Sequence, residues 1–148
     1  MLRLLNEPSF LLYIGDKGVK TVNDAEAFLV TGPMASYEQH GFGLYRVAIT
    51  EDDTAIGICG LLSRPTLPDP DLGFAFLPDF WGHGYAYESA REILRRARRV
   101  LGLRRIVAIT APENKASISL LGRLGFEFEK VLASFGDAGK SNLYELEF

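Results

Sequence analysis

Pro78-Asp79-Phe80-Trp81-Gly82-His83-Gly84-Tyr85-Ala86 is the stretch on which the reading of this chain turns. Before it, Asp71 to Leu77 has the apolar and aromatic character of a strand. After it, residues 85–101 repeat Ala86, Ala90, Ile93, Leu94, Ala97 and Leu101 at helical spacing, with Gly102 placed as a left-handed cap. A strand that enters a helix through two glycines lets a ligand approach the backbone without a Cβ in the way. The free first-turn N–H groups and the positive end of the helix dipole then converge on one point, which suits a phosphate or pyrophosphate. No Gly-Lys-Ser/Thr follows, as a nucleoside triphosphate loop would need, and the third glycine of a dinucleotide fingerprint is missing. Spacing alone fits an ordinary tight strand-to-helix connection equally well.

Downstream of the helix, Arg105-Ile106-Val107-Ala108-Ile109-Thr110 is a short β-branched run of the kind found in a doubly buried central strand. Residues 71–110 therefore form a parallel strand–helix–strand crossover. Upstream, residues 44–49 and 55–62 flank the polar turn Glu51-Asp52-Asp53-Thr54 and predict an antiparallel hairpin. Pro65, Pro68 and Pro70 make the next segment a loop, because proline cannot donate to a ladder. Val22 to Leu29 reads as a helix capped by Thr21 or Asn23 and ending near Gly32-Pro33. A helix at 114–124 and strands at 126–135 and 141–148 complete a mixed α+β domain over residues 1–148.

Composition narrows the function. The chain has 148 residues, 47% apolar, with a formal charge of −3, so it offers no global attraction to nucleic acid or to anionic membrane. The opening Met1 to Pro8 is apolar for too short a run to span a bilayer, and a cytoplasmic protein is expected. Cys59, the single cysteine, lies in an apolar run and reads as a small buried hydrophobe in a reducing compartment.

Two motifs in register carry a family resemblance. Trp81-Gly82-His83-Gly84-Tyr85-Ala86 resembles the pyrophosphate-binding motif of the GNAT superfamily of acetyl-CoA-dependent N-acetyltransferases, in the form typical of its ribosomal-protein N-terminal acetyltransferase branch. Asn114-Lys115-Ala116-Ser117, with Leu124-Gly125-Phe126 after it, resembles that branch's Asn-x-x-Ser…Leu-Gly-Phe signature. The likeness covers roughly residues 40–148.

The resemblance implies a GNAT-like central twisted sheet, mostly antiparallel, with one parallel β-α-β crossover and helices on both faces. It implies acetyl-CoA as cosubstrate, no metal, and an amine as acceptor: a protein N-terminus or a small molecule. The backbone of Trp81, Gly82, His83, Gly84, Tyr85 and Ala86 is expected at the pyrophosphate. The backbone of Phe74, Ala75 and Phe76 is expected along the pantetheine arm, with a bulge at Gly73 re-aiming one N–H at the thioester oxygen. Asn114 is expected both at the pantetheine and as a helix cap. Tyr87 departs from relatives, which often carry a small hydroxyl residue there. Leu121 stands where many members place a tyrosine that protonates the leaving thiolate, so Ser117 is the expected substitute, its hydroxyl able to hydrogen-bond the developing thiolate without transferring its proton outright.

Attack needs a neutral amine, and an α-amine with a pKa of about 7.7–8.0 needs less help than a lysine at about 10.4. Asp71 is the candidate base, ahead of Asp69 and Asp79, with water-mediated deprotonation as the competitor. His40 and Glu38 border the expected acceptor side. Arg95, Arg96, Arg98 and Arg99 read as a solvated helix face. Measured against the family, the chain starts after the usual first strand, which leaves an open sheet edge at 43–50; a homodimer through that edge is one consequence. The alternatives are a non-catalytic acyl-CoA-binding module and a structural domain that uses the edge.

Overall fold

The computed structural model describes residues 1–134 and 139–148; the expected end of a strand at residue 135 lies outside them. Among the described residues one sheet has the strand order β1-β2-β3-β4-β6-β5, built from β1 Leu44–Ala48, β2 Ala55–Leu62, β3 Asp71–Phe76, β4 Arg105–Thr110, β5 Glu127–Leu132 and β6 Ser141–Glu147. Every neighbouring pair is antiparallel except β3 with β4. Among the described residues β1 pairs with β2 alone, which leaves its other edge without a strand partner. Residues Leu2–Leu5, ahead of it in the chain, are helical.

Helices α1 Leu2–Leu5, α2 Pro8–Tyr13 and α3 Val22–Leu29 cover one face, where Leu4, Leu5, Phe10 and Ala25 pack on Ile58 and Leu77. Helices α5 Tyr85–Arg99 and α6 Lys115–Arg123 cover the other, where Ala90, Leu94, Ala97 and Leu121 pack on Leu61, Leu72, Phe76, Ile106 and Ala108. The period-two alternation of the strands and the 3.6 period of α5 thus meet in two clusters divided by the sheet. Thr21 caps α3 in a reciprocal box with Asp24.

Pro33 does not end that helix as expected. The chain widens into a π-turn over Val30–Met34, with the Ala35 N–H reaching back to the Val30 carbonyl, and continues as α4 Ala35–His40. The wider turn accommodates the missing proline N–H and clears its ring from the preceding carbonyl. Gly41, left-handed at φ 73°, makes the actual stop.

The bulge expected at Gly73 is also absent, since β2 and β3 pair without a register shift from Leu62↔Asp71 to Gly57↔Phe76. Gly73 instead makes room for the Leu62 side chain, whose Cδ1 would lie 2.4 Å from a Cβ there. At Gly60, opposite Leu44 in β1, a Cβ would lie 2.0 Å from the Gly43 carbonyl oxygen, so the close crossing at the start of β1 requires glycine.

Candidate active site

The ladder phases decide what the middle of the sheet exposes. The Leu77 N–H donates to Ile56 O at 2.9 Å, which makes 71, 73, 75 and 77 the residues that bond β2 and turns the main-chain groups of 72, 74 and 76 toward β4. On the other side Phe148 N–H donates to Arg104 O at 2.9 Å, so 106, 108 and 110 bond β6 and 105, 107 and 109 face β3. These two edges meet only at Asp71↔Val107, where the Val107 N–H donates to Pro70 O at 3.0 Å. Beyond that rung the two strands form no further pair, and the main-chain edges at Phe74 and Ile109 face the space between them.

The gap opens into a cleft of about 640 Å³. Its sheet side is formed by Gly73, Phe74, Ala75, Ala108, Ile109 and Thr110, and α6 contributes Ser117 and Leu121 next to the capping Asn114. Its other wall comes from α2, α3, the π-turn and α4, including Tyr13, Thr31, Ser36 and His40. Asn114 Oδ1 accepts from the Ser117 N–H at 3.1 Å, the N-cap bond expected of it. Leu121 is 1% exposed and closes the floor.

At the far end of β3, Pro78–Phe80 form one 3₁₀ turn and Trp81 folds back to donate its Nε1–H to Phe76 O at 2.8 Å. That bond ties the glycine loop to the strand and takes the Phe76 carbonyl, leaving the Phe76 N–H on the gap side. Gly82 and Gly84 hold φ of 75° and 86°, and a Cβ at either would face open space. Gly84 is the N-cap of α5, so the first-turn N–H groups of Tyr85 and Ala86 are presented beside an unobstructed backbone. His83 is exposed and stacks on Tyr85 at 5.9 Å. The cleft therefore gathers Asp71, Phe74, Ala75, Asn114 and Ser117, whereas Phe76 and Trp81 to Ala86 lie outside its lining.

The three candidate carboxylates separate. Asp71 is 2% exposed and lines the cleft, with both oxygens accepting from Arg64 Nε at 3.0 Å. Burial pushes its pKa above the ordinary carboxylate value, and the Arg64 charge and hydrogen bond pull it partly back. Asp69 pairs with Arg105 at 2.5 Å, and Asp79 pairs with Arg3 at 3.2 Å out in solvent. His40 borders the cleft, and Glu38 is exposed outside it. Cys59 is buried on β2, its thiol pushed up to about 12 by desolvation.

Sequence reasoning missed Arg64. It lies seven residues before Asp71 across a proline-rich loop, and only the β2–β3 register brings the two together. Lys17, Thr110 and Ser141 of the lining were also missed, and nothing in their local sequence marks them. Among the described residues no helix is long and apolar enough to cross a membrane.

The sequence profile of the family described as acetyltransferase (GNAT) domain matches residues 1–127. The chain is 26% identical over 140 residues to a Bacillus subtilis (strain 168) protein named uncharacterized N-acetyltransferase YoaA, covering 90% of this chain and 78% of that one. Its fold superposes on the crystal structure of an acetyltransferase from Agrobacterium tumefaciens str. C58 with a TM-score of 0.81 at 22% identity, covering 99% of this chain and 82% of the other. A ribosomal-protein-S5-alanine acetyltransferase from Vibrio fischeri superposes with a TM-score of 0.73 at 17% identity, covering 89% and 75%.

Proposed function

This chain belongs to the GNAT acetyltransferase family, and from that premise we propose that it moves the acetyl group of acetyl-CoA to a primary amine by direct attack. The observation that carries the reading is the divergence of β3 from β4 beside the open-backed Gly82–Gly84 loop. An extended ligand with alternating amides can pair with the main-chain edges at Phe74 and Ile109 as an added strand does. A pyrophosphate suits the N–H groups at the start of α5. The residues present thus fit coenzyme A, with Phe74, Ile109 and Asn114 beside the pantetheine arm and Gly82 to Ala86 at the phosphates. Acetyl-CoA supplies a thioester whose carbonyl carbon bonds the amine nitrogen as the C–S bond breaks, giving an amide and a thiol, with one proton passing in balance from nitrogen to sulfur.

Asp71 is the group placed to take the amine proton, directly or through water, and Arg64 holds its carboxylate in position. The Ser117 hydroxyl is the donor toward the leaving sulfur, because its backbone N–H is already committed to Asn114. Cys59 is unsuited to a covalent acyl-enzyme, being buried and held as a neutral thiol at neutral pH. An α-amine of a peptide or protein is the acceptor this machinery serves most easily, because about a tenth of it is already free base at neutral pH; a small-molecule amine of similar pKa is served equally. A non-catalytic acyl-CoA-binding module is favoured by one observation, the buried Leu121 where the family's acid stands.

Isothermal titration with acetyl-CoA, set beside a Gly84→Glu variant, tests the cradle. One-site binding abolished in the variant supports it, and no binding to folded protein rejects it. Thiol release across a panel of peptide and small-molecule amines then separates the readings: release above background supports transfer, and tight binding without release supports the module.

A further inference from the structure

Between α5 and the ends of α6 and β6 a groove of about 350 Å³ is lined by Arg91, Arg95, Arg98, Arg99 and Arg123 over an apolar floor that includes Leu94, Leu124 and Leu146. The chain as a whole carries a charge of −3, so this is a local concentration of cations against the net sign. Among the described residues only Arg95 of the five has a carboxylate at ion-pair distance, Glu92 at 2.5 Å, whose charge also reaches Arg91 from farther off. Arg91 and Arg123 are held differently: their guanidinium carbons lie 6.0 Å and 4.7 Å from the ring centroid of Tyr87, on which both lean. Two cations that converge on one aromatic ring with no carboxylate at hydrogen-bond distance repel each other. A dianion placed between them relieves that repulsion and gains charge-assisted hydrogen bonds.

The position of this pair identifies the anion. Tyr87 and Arg91 stand three and seven residues beyond Gly84, which is about 4.5 and 10 Å along the helix axis at 1.5 Å per residue. Long helical side chains lean back toward the N-terminus, so the Arg91 head returns toward the glycine loop. Coenzyme A carries a phosphomonoester on the ribose 3′ oxygen, one sugar away from its pyrophosphate. We propose that Arg91 and Arg123, positioned by Tyr87, form the site for that 3′-phosphate. On this reading Tyr87 takes the place of a small hydroxyl residue and gives up one direct phosphate contact. In exchange it aligns two guanidiniums on the next phosphate outward.

The inference rests on the coenzyme A reading above, and one experiment separates their failures. Coenzyme A and 3′-dephospho-coenzyme A are titrated into the wild-type chain, into Arg91→Gln/Arg123→Gln, and into Arg98→Gln/Arg99→Gln as a control farther along the same exposed face. The wild type should bind coenzyme A at least about tenfold more tightly than the dephospho form, the scale of one charged hydrogen bond. The Arg91/Arg123 variant should lose that preference while keeping its affinity for the dephospho form, and the Arg98/Arg99 variant should keep both. Equal wild-type affinities, or a preference that survives in the Arg91/Arg123 variant, would overturn the 3′-phosphate site alone. A preference lost equally in the control would show a diffuse field and overturn it too. No binding of either compound to folded wild type would overturn the site together with the coenzyme A reading. Inorganic phosphate that competes with coenzyme A but not with the dephospho form gives further support, and competition with both would count against the assignment.

Discussion

Arg64 Nε lies 3.0 Å from each carboxylate oxygen of Asp71, at the single rung where the two central strands still pair. The carboxylate is buried and the guanidinium reaches toward solvent, with side-chain exposures of 3% and 37%. Burial raises the Asp71 pKa, so folding favours its protonated form. The native state therefore binds more protons than the unfolded chain between the ordinary carboxylate value and the raised one. This group's contribution to stability is fully present below the unfolded value and is lost as pH rises through the folded value.

Asp71→Asn should lower kcat/KM and remove an acid-side limb from its pH profile, a limb lying above the ordinary carboxylate range in the wild type. At neutral pH the fold should change little, because the neutral amide avoids the desolvation cost of the buried charge and this offsets the lost bonds to Arg64. Urea unfolding and a pH–rate profile check the two parts. An unchanged profile would remove Asp71 from the proton pathway and leave water as the acceptor.

Ser117→Ala and Asn114→Ala should separate. The cap on α6 uses the Ser117 backbone N–H, so Ser117→Ala keeps it; kcat should fall with little change in thermal midpoint. Asn114→Ala removes the accepting side chain and should cost about 1 kcal/mol of stability as well as acetyl-CoA affinity. Thermal melts and steady-state kinetics on both variants read the split.

Trp81→Phe deletes the donor that holds the glycine loop to the Phe76 carbonyl. A loss of about 0.5–1.5 kcal/mol is expected, with a weaker acetyl-CoA affinity because the loop is no longer fixed against the strand. Titration calorimetry and chemical denaturation measure both.

Gly60→Ala should be among the more damaging small substitutions. The new methyl would sit 2.0 Å from the Gly43 carbonyl oxygen, a backbone atom that cannot swing aside. About 1–3 kcal/mol is expected for such overpacking, read as a lower denaturation midpoint.

Much of the architecture was legible because periodicity and punctuation agreed. The residues 105–110 form β4 as expected, the hairpin at 44–62 and the crossover helix fall within one or two residues of their expected ends, and the Asn114 cap is present. Pro33 misled, because the π-turn that carries a helix past a proline has no signature in the local sequence. Gly73 misled for a related reason: a glycine required by a neighbour's side chain looks the same in sequence as one required by a bulge. In the cleft, motif residues were readable one by one, but Arg64 depended on strand register and Lys17 on how the loop after α2 folds over the sheet. The arginines of α5 were read as a solvated face, which accounts for their exposure; the groove they share with Arg123 needed the packing of α6 to become visible.

The segment between β2 and β3 is fastened twice. Near its start Arg64 is held by Asp71, and near its end Asp69 is held by Arg105, whose guanidinium also binds Glu129 of β5 and Glu145 of β6. A strap pinned at both ends has little travel, so this side of the cleft mouth behaves as a fixed doorpost. Widening for a bulky acceptor must then come from the opposite jamb, the helices before β1, and chains that differ there would differ in what they admit without disturbing the proposed seat of the acetyl donor.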